Sequence, residues 1–329
     1  PSSSRSKLAR ALGDPVTGGC AAGGPTPGRA AGRRELRPGR AGAVVTAHLR
    51  ELVGLLTRYD PPARTDERDA VHQMRVATRR LRSALATFRP LLDRTVTDPL
   101  REELAWLGAE LGAVRDAEVI RDRLLDDLAE EPAELVLGPV RERVAGTLGD
   151  RHRAAHDNLL RELERPRYFA LLDALDALVA DPPLSPLAGR RAERVLPALA
   201  ARTWRRTRRL VRAAAAATDP VPRDLALHEV RKAAKRARYA GEALAAEYGR
   251  PARRYAAGMK AVQDALGAHQ DTVVIRQELR GLAEQAQASG EPSFTYGRLH
   301  AREEDRAALS EAAFAQAWCR VRAPGLHGR

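Results

Sequence analysis

From about residue 41 onward, apolar positions recur at three- and four-residue spacings, and no stretch keeps the two-residue alternation of a half-buried strand. The period predicts helices over 41–58, 67–90, 98–112, 116–129, 139–164 and 167–180. Asp181-Pro-Pro-Leu-Ser-Pro breaks the pattern. Helices are predicted again over 190–217, 223–248, 251–267, 271–288 and 297–321. Residues 1–40, rich in Gly, Pro, Ser and Arg, hold no sustained period beyond a short turn at Ser6–Leu12 and read as a linker or tail. Residues 323–329 read as a second tail. The expected fold is all-α. It has two halves, 41–181 and 186–322, each an antiparallel bundle of about four helices because the connections are short.

The two halves repeat one another. VHQMRVATRRLRSALATF at 71–88 matches LHEVRKAAKRARYAGEAL at 227–244, an offset of 156. One face of the first copy carries Val71, Met74, Thr78, Leu81, Leu85 and Phe88, and the second carries Leu227, Val230, Ala234, Ala237, Gly241 and Leu244. These are packing faces, and the small residues of the second predict a close approach to its neighbours. LGAVRDAEVIR at 111–121 matches LGAHQDTVVIR at 266–276 in seven of eleven positions. Here Gly112 and Gly267 suit positions just past a helix C-terminus, and Asp116 and Asp271 suit the caps of the helices that follow.

Beside each packing face runs a line of positive charge. His72, Arg75, Arg79 and Arg82, like His228, Arg231, Lys235 and Arg238, fall within a sector roughly 80° wide on a helix. In the predicted helix 190–217, Arg202, Arg205, Arg209 and Arg212 repeat the same spacing with Arg206 alongside, and the only acid is Glu193. Unrelieved like charge on neighbouring turns costs stability, which points to a bound anion. The formal charge is +13, with 52 Arg against 4 Lys. Residues 190–254 alone hold 18 cations against 6 acids, nearly the whole excess. Part of the arginine total reflects composition, but its placement points to a polyanion. Arginine's planar fork of donors fits phosphate oxygens. The opening helix, 41–58, has only His48, Arg50 and Arg58, so the basic surface is expected to lean toward the second half.

Other chemistries find little support. Cys20 and Cys319 make neither a CxxC nor a Cys/His spacing, so no disulfide framework or zinc site is expected and a reducing compartment fits. His72 and His228 head their stripes without a carboxylate or thiolate at a ligand spacing beside them, so they read as anion donors or helix-start polar groups rather than metal ligands. Phosphate-loop, dinucleotide, zinc-protease and nucleophile-elbow motifs are absent. No cofactor and no catalytic residue are expected. No apolar run reaches membrane-spanning length, and the chain opens on Pro1 like a piece of a longer protein. Trp106, Trp204 and Trp318 are spread out and read as packed rather than stacked on bases.

The histidine–cation helices, the LGAxxD elements and FTYGRLHAREE near the end resemble the CHAD family, the conserved histidine α-helical domains, over roughly 41–322. The resemblance implies two pseudo-symmetric helical halves around a basic surface that binds inorganic polyphosphate. It also implies association with polyphosphate granules for some members, in a cytoplasmic setting. Ser6–Leu12 resembles the segment that closes a CYTH domain, which implies the C-terminal part of a CYTH–CHAD protein whose triphosphatase part lies elsewhere.

The expected function is therefore non-enzymatic polyphosphate binding. The contacts are expected from His72, Arg75, Arg79, Arg82, Arg202, Arg205, Arg209, Arg212, His228, Arg231, Lys235 and Arg238, with Arg80, Arg206, Lys232 and Arg236 beside them. The histidines would gain charge as the pH falls toward 6. The alternatives are an RNA- or DNA-binding domain and a phosphohydrolase or phosphotransferase that uses histidine as phosphoacceptor.

Overall fold

The computed structural model describes residues 37–325. Ser6–Leu12, with most of the predicted linker, lies outside the described residues. The fold is all-α. Among the described residues ten helices follow in order: α1 (Ala41–Arg64), α2 (Ala70–Thr87), α3 (Arg94–Glu130), α4 (Val140–Leu163), α5 (Pro166–Ala180), α6 (Ala192–Ala216), α7 (Pro220–Ala243), α8 (Ala245–Tyr248), α9 (Arg250–Ala288) and α10 (Phe294–Arg320). No strand is formed among the described residues, only two isolated bridges, Arg40 with Arg191 and Leu92 with Leu184.

The repeat read in the sequence is also a repeat of helices. α1, α2, α3 and α4 correspond to α6, α7, α9 and α10, and in each half the helices pack in the same order along the chain. The two halves meet at their first residues: the Ala41 amide donates to Arg190 O (3.0 Å) and the Ala192 amide donates to Gly39 O (2.9 Å). Every residue assigned to the packing faces of α2 and α7 is buried. Gly241 brings α7 close to α9, because a Cβ there would stand 3.0 Å from Ala256 Cβ and 3.1 Å from the Ala256 amide nitrogen. Burying these faces is the main stabilising term, since each fully buried Leu, Met or Phe contributes roughly 1.5–3 kcal/mol.

Four boundaries differ from expectation. The predicted pair 98–112 and 116–129 is one continuous helix of 37 residues, α3, and 251–267 with 271–288 is α9, of 39 residues. Gly112 and Gly267 therefore lie inside helices rather than after them, and Asp116 and Asp271 cap nothing. A glycine inside a helix costs about 1 kcal/mol against alanine. Burial of Leu104, Leu107, Leu111 and Val114 on the same helix offsets that cost. The reading 223–248 breaks instead at Leu244, and Gly249, with φ 57°, turns the chain into α9. Finally, α1 runs through Pro61 and Pro62 to Arg64. Its last turn is tied down where Arg64 donates to Asp60 (2.9 Å) and to Leu163 O (3.0 Å).

The outer ends of the two long helices share a third core. Ile120, Leu124 and Leu128 of α3 cluster with Val140, Val144 and Leu148 of α4, Ile275, Leu279 and Leu282 of α9, and Tyr296 and Leu299 of α10. Ion pairs reinforce it. Arg123 binds Glu303 (3.0 Å), Arg306 binds Asp127 (2.6 Å), and Arg298 and Arg302 both bind Glu131 (2.8 and 2.7 Å).

Candidate functional site

α2 and α7 touch each other and present their cationic stripes toward the long helices α3 and α9. The start of α2 is set by Asp69, which adopts the left-handed conformation (φ 66°) that aspartate tolerates, and which accepts a hydrogen bond from Gln73 Nε2 (2.6 Å). Between the four helices lies a cavity of about 430 Å³. Six sequence-predicted residues line it: His72, Arg75 and Arg79 from α2, and His228, Arg231 and Lys235 from α7. Across from them stand Arg115, Asp116 and Arg123 of α3 and Gln270 and Asp271 of α9, none of which entered the predicted site. Val119, Ile120, Val274 and Ile275 complete that wall.

The LGAxxD elements belong to this cavity. Arg75 lies over α3 with Nη2 3.6 Å from where a Cβ on Gly112 would stand, and Nη1 donates to Asp116 Oδ1 at 2.9 Å. Arg231 lies over Gly267 in the same way, with Nε at 3.6 Å. The repeated Asp five residues after the repeated Leu was the signal. Its partner is 41 residues away in sequence, beyond the reach of helix-face arithmetic.

Charge is crowded here. Lys235 is pushed down to about 7 by burial and by Arg231, Arg79, Arg75 and Arg238. Burial also lowers Arg79, with Arg75 and Arg231 adding to the effect. The Nε atoms of Arg79 and Arg231 are buried and reach no acceptor. Burying a donor without a partner costs free energy, which a bound oxyanion would return. His72 is held below the usual imidazole value, chiefly by burial and further by Arg115, Arg79 and Arg75, while Asp69 opposes them. The expectation that it gains charge as the pH falls toward 6 is thus opposed by burial and by the arginines around it. His228 Nδ1 donates to Gln270 Oε1 at 2.6 Å.

The remaining predicted cations divide. Arg202, Arg205, Arg206, Arg209 and Arg236 line a different cavity, of about 620 Å³, together with Arg89 and Arg94. Burial lowers Arg236 there, and Arg206, Arg101 and Arg82 lower it further. Arg80 and Arg238 turn inward to one acid, Glu242, at 3.1 and 2.6 Å. Lys232 pairs with Glu229. Arg82 and Arg212 are exposed and line neither cavity. The aromatics near the stripes are committed: Trp204 stacks on Trp318 at 5.1 Å, and Tyr239 is buried with Arg80 and Arg238 over its ring. Among the described residues no group of three or more His, Cys, Asp or Glu is disposed to hold a metal ion, and no helix is long and apolar enough to cross a membrane.

Comparison with known proteins agrees with this architecture. The family profile of the CHAD domain matches residues 47–280. The uncharacterized proteins MT2285 and Rv2226 of two Mycobacterium tuberculosis strains are each 39% identical over 260 residues, covering 78% of this chain. The chain spans about half of their length, 49%. Among solved structures, the CHAD domain of the plant Ricinus communis superposes with a TM-score of 0.69 at 27% identity, over 87% of this chain and 93% of that one. PptA from Streptomyces chartreusis superposes with a TM-score of 0.73 over 85% of this chain and 100% of that one, and at 23% identity this is a likeness of fold.

Proposed function

The chain belongs to the CHAD domain family, and from that premise and the cavity between its four central helices we propose that it binds inorganic polyphosphate without transforming it. One observation carries the reading. Three residues from each of two repeated stripes converge on a single cavity, where the buried Nε atoms of Arg79 and Arg231 have no acceptor. A linear chain of phosphoryl groups offers many such acceptors and has no bulk to accommodate between them.

The same cavity argues against the rival readings. Single-strand nucleic-acid binders stack bases on free aromatic faces, and here the tryptophan and tyrosine nearest the cations are already covered. For phosphate hydrolysis, the carboxylates in reach are Asp116, which is engaged with Arg75, and Asp271, whose carboxyl is pushed up by burial. Neither is hydrogen-bonded to His72 or His228, the candidate phosphoacceptors of the same cavity. Association with polyphosphate granules in the cytoplasm would follow from the same reading.

The test is a competition of long-chain polyphosphate against single-stranded RNA of similar total charge at physiological salt. Polyphosphate should displace RNA and not the reverse, and comparable affinities would transfer the assignment to nucleic acid. Incubation with polyphosphate and magnesium should release no phosphate.

A further inference from the structure

The larger cavity, between α2, α6 and α7, shares no lining residue with the central one. Its meaning emerges from the pseudo-symmetry. The offset of 156 between α2 and α7 pairs Arg80 with Arg236 and Ala86 with Glu242. The reciprocal bonds of Ala41 and Ala192 pair α1 with α6 at an offset of 151. Under it, buried Val45, Leu49, Leu52 and Leu56 fall on buried Leu196, Ala200, Thr203 and Thr207, and Glu51 falls on Arg202.

The two equivalent places are therefore directly comparable. In the first, Arg80 and Arg238 share Glu242, while Glu51 lies 3.7 Å from His48. Charge is balanced within the protein. In the second, Arg206, Arg101 and Arg82 bear on Arg236, Glu229, which opposes them, is bound to Lys232, and Asp98 is taken up by Arg89 and Arg101. Ala86 stands where the counterpart has Glu242, and Arg202 stands where it has Glu51. Both internal acids are missing, a cation replaces one of them, and a cavity of about 620 Å³ occupies the space. Arg202, Arg205 and Arg209 on its wall are exposed and make no ion pair among the described residues.

We propose that this cavity is a second phosphoryl-oxyanion site, separate from the central one, in which an external phosphate takes the place of the carboxylates its pseudo-symmetric counterpart carries. The inference rests on the polyphosphate reading for the identity of the ligand, and its test separates the two.

Titration calorimetry with tripolyphosphate reads the number of sites directly. The wild-type protein should bind two per chain. Ala86→Glu installs the counterpart's own acid beside Arg236 and should leave one. Arg231→Ala with Lys235→Ala, in the central cavity, should also leave one. Should Ala86→Glu disturb the helices, Arg202→Gln with Arg209→Gln, both at exposed positions, should weaken the second site by about tenfold. A chain of about 100 phosphates then identifies the source. Reduced affinity in Ala86→Glu means that one chain spans both cavities, and unchanged affinity means that a separate phosphate compound fills the second. One tripolyphosphate per wild-type chain, or two that survive every substitution around Arg236, overturns the proposal. If Ala86→Glu removes a site and the central variant removes none, the second cavity stands and the central assignment fails.

Discussion

Arg75 Nη1 stands 2.9 Å from Asp116 Oδ1, whereas Arg231, at the equivalent place in the second half, makes no ion pair with Asp271 although its charge is felt there. One wall of the cavity thus competes with any anion for one of the arginines. Asp116→Asn should free that guanidinium and remove a like charge from the ligand's surroundings, raising polyphosphate affinity several-fold in a direct titration. Weaker binding by this variant would mean that Asp116 orients Arg75 for the ligand rather than competing with it.

Lys235 provides a pH dependence whose sign can be worked out. Its pKa in the folded protein is about 7, below the ordinary lysine value of about 10.4. The unfolded chain therefore binds more protons between those values, and the ligand-free protein gains stability as the pH rises from about 7 toward 10. A bound polyanion favours the charged form, so binding should take up a proton near pH 7 to 8 and weaken as the pH rises further. Lys235→Arg should flatten that profile. Calorimetry in two buffers of different ionisation enthalpy measures the uptake, and a pH-independent affinity in the wild type would contradict the assignment.

The convergence of the stripes can be separated from net charge. Arg231→Ala with Lys235→Ala should lower polyphosphate affinity by about thirtyfold or more, since buried contacts dominate binding. Arg68→Ala with Arg141→Ala removes two cations at exposed positions outside both cavities. Screening within a Debye length of about 8 Å should hold that loss to a few-fold. Equal losses would point to diffuse attraction.

Acid should act through the outer core. Burial alone would raise the Glu131 carboxyl, but bonds from Arg298 and Arg302 outweigh it and hold the group below the ordinary range. Its contribution is therefore complete above the unfolded glutamate value of about 4.3 and is lost as the pH falls through the folded value. Glu131→Gln leaves Arg298 and Arg302 without their shared acid and should cost about 3 kcal/mol in denaturant unfolding at pH 7. The variant should lose less than the wild type on going from pH 5 to pH 3.

Much of this is legible in the sequence. The helical period, the two packing faces and the six cavity residues of α2 and α7 all follow from spacing within one helix. What escaped was decided between helices. Gly112 and Asp116 look locally like a C-terminus and a cap, and only the arginine that lies across them from α2 gives them another role. Local preference yielded to a tertiary contact. Arg80 and Arg238 satisfied the stripe spacing as well as Arg79 did, but Glu242 claims them both. The imbalance in arginine between 41–58 and 190–217 was visible. Its structural counterpart, Glu51 and Glu242 against Arg202 and Ala86, emerges only when both halves are seen together.

The shared core of Ile120, Leu124, Ile275 and Leu279 joins α3 and α9 beside the central cavity, and α2 and α7 touch each other on its other wall. A frame packed on both sides resists opening and closing like a clamp. The mutual repulsion of its arginines is overcome while the chain folds, and only the charging of Lys235 is left to the encounter. An arriving anion meets donors already in place, so its capture should run at the pace of diffusion in a strong field, with selectivity expressed in how slowly it leaves.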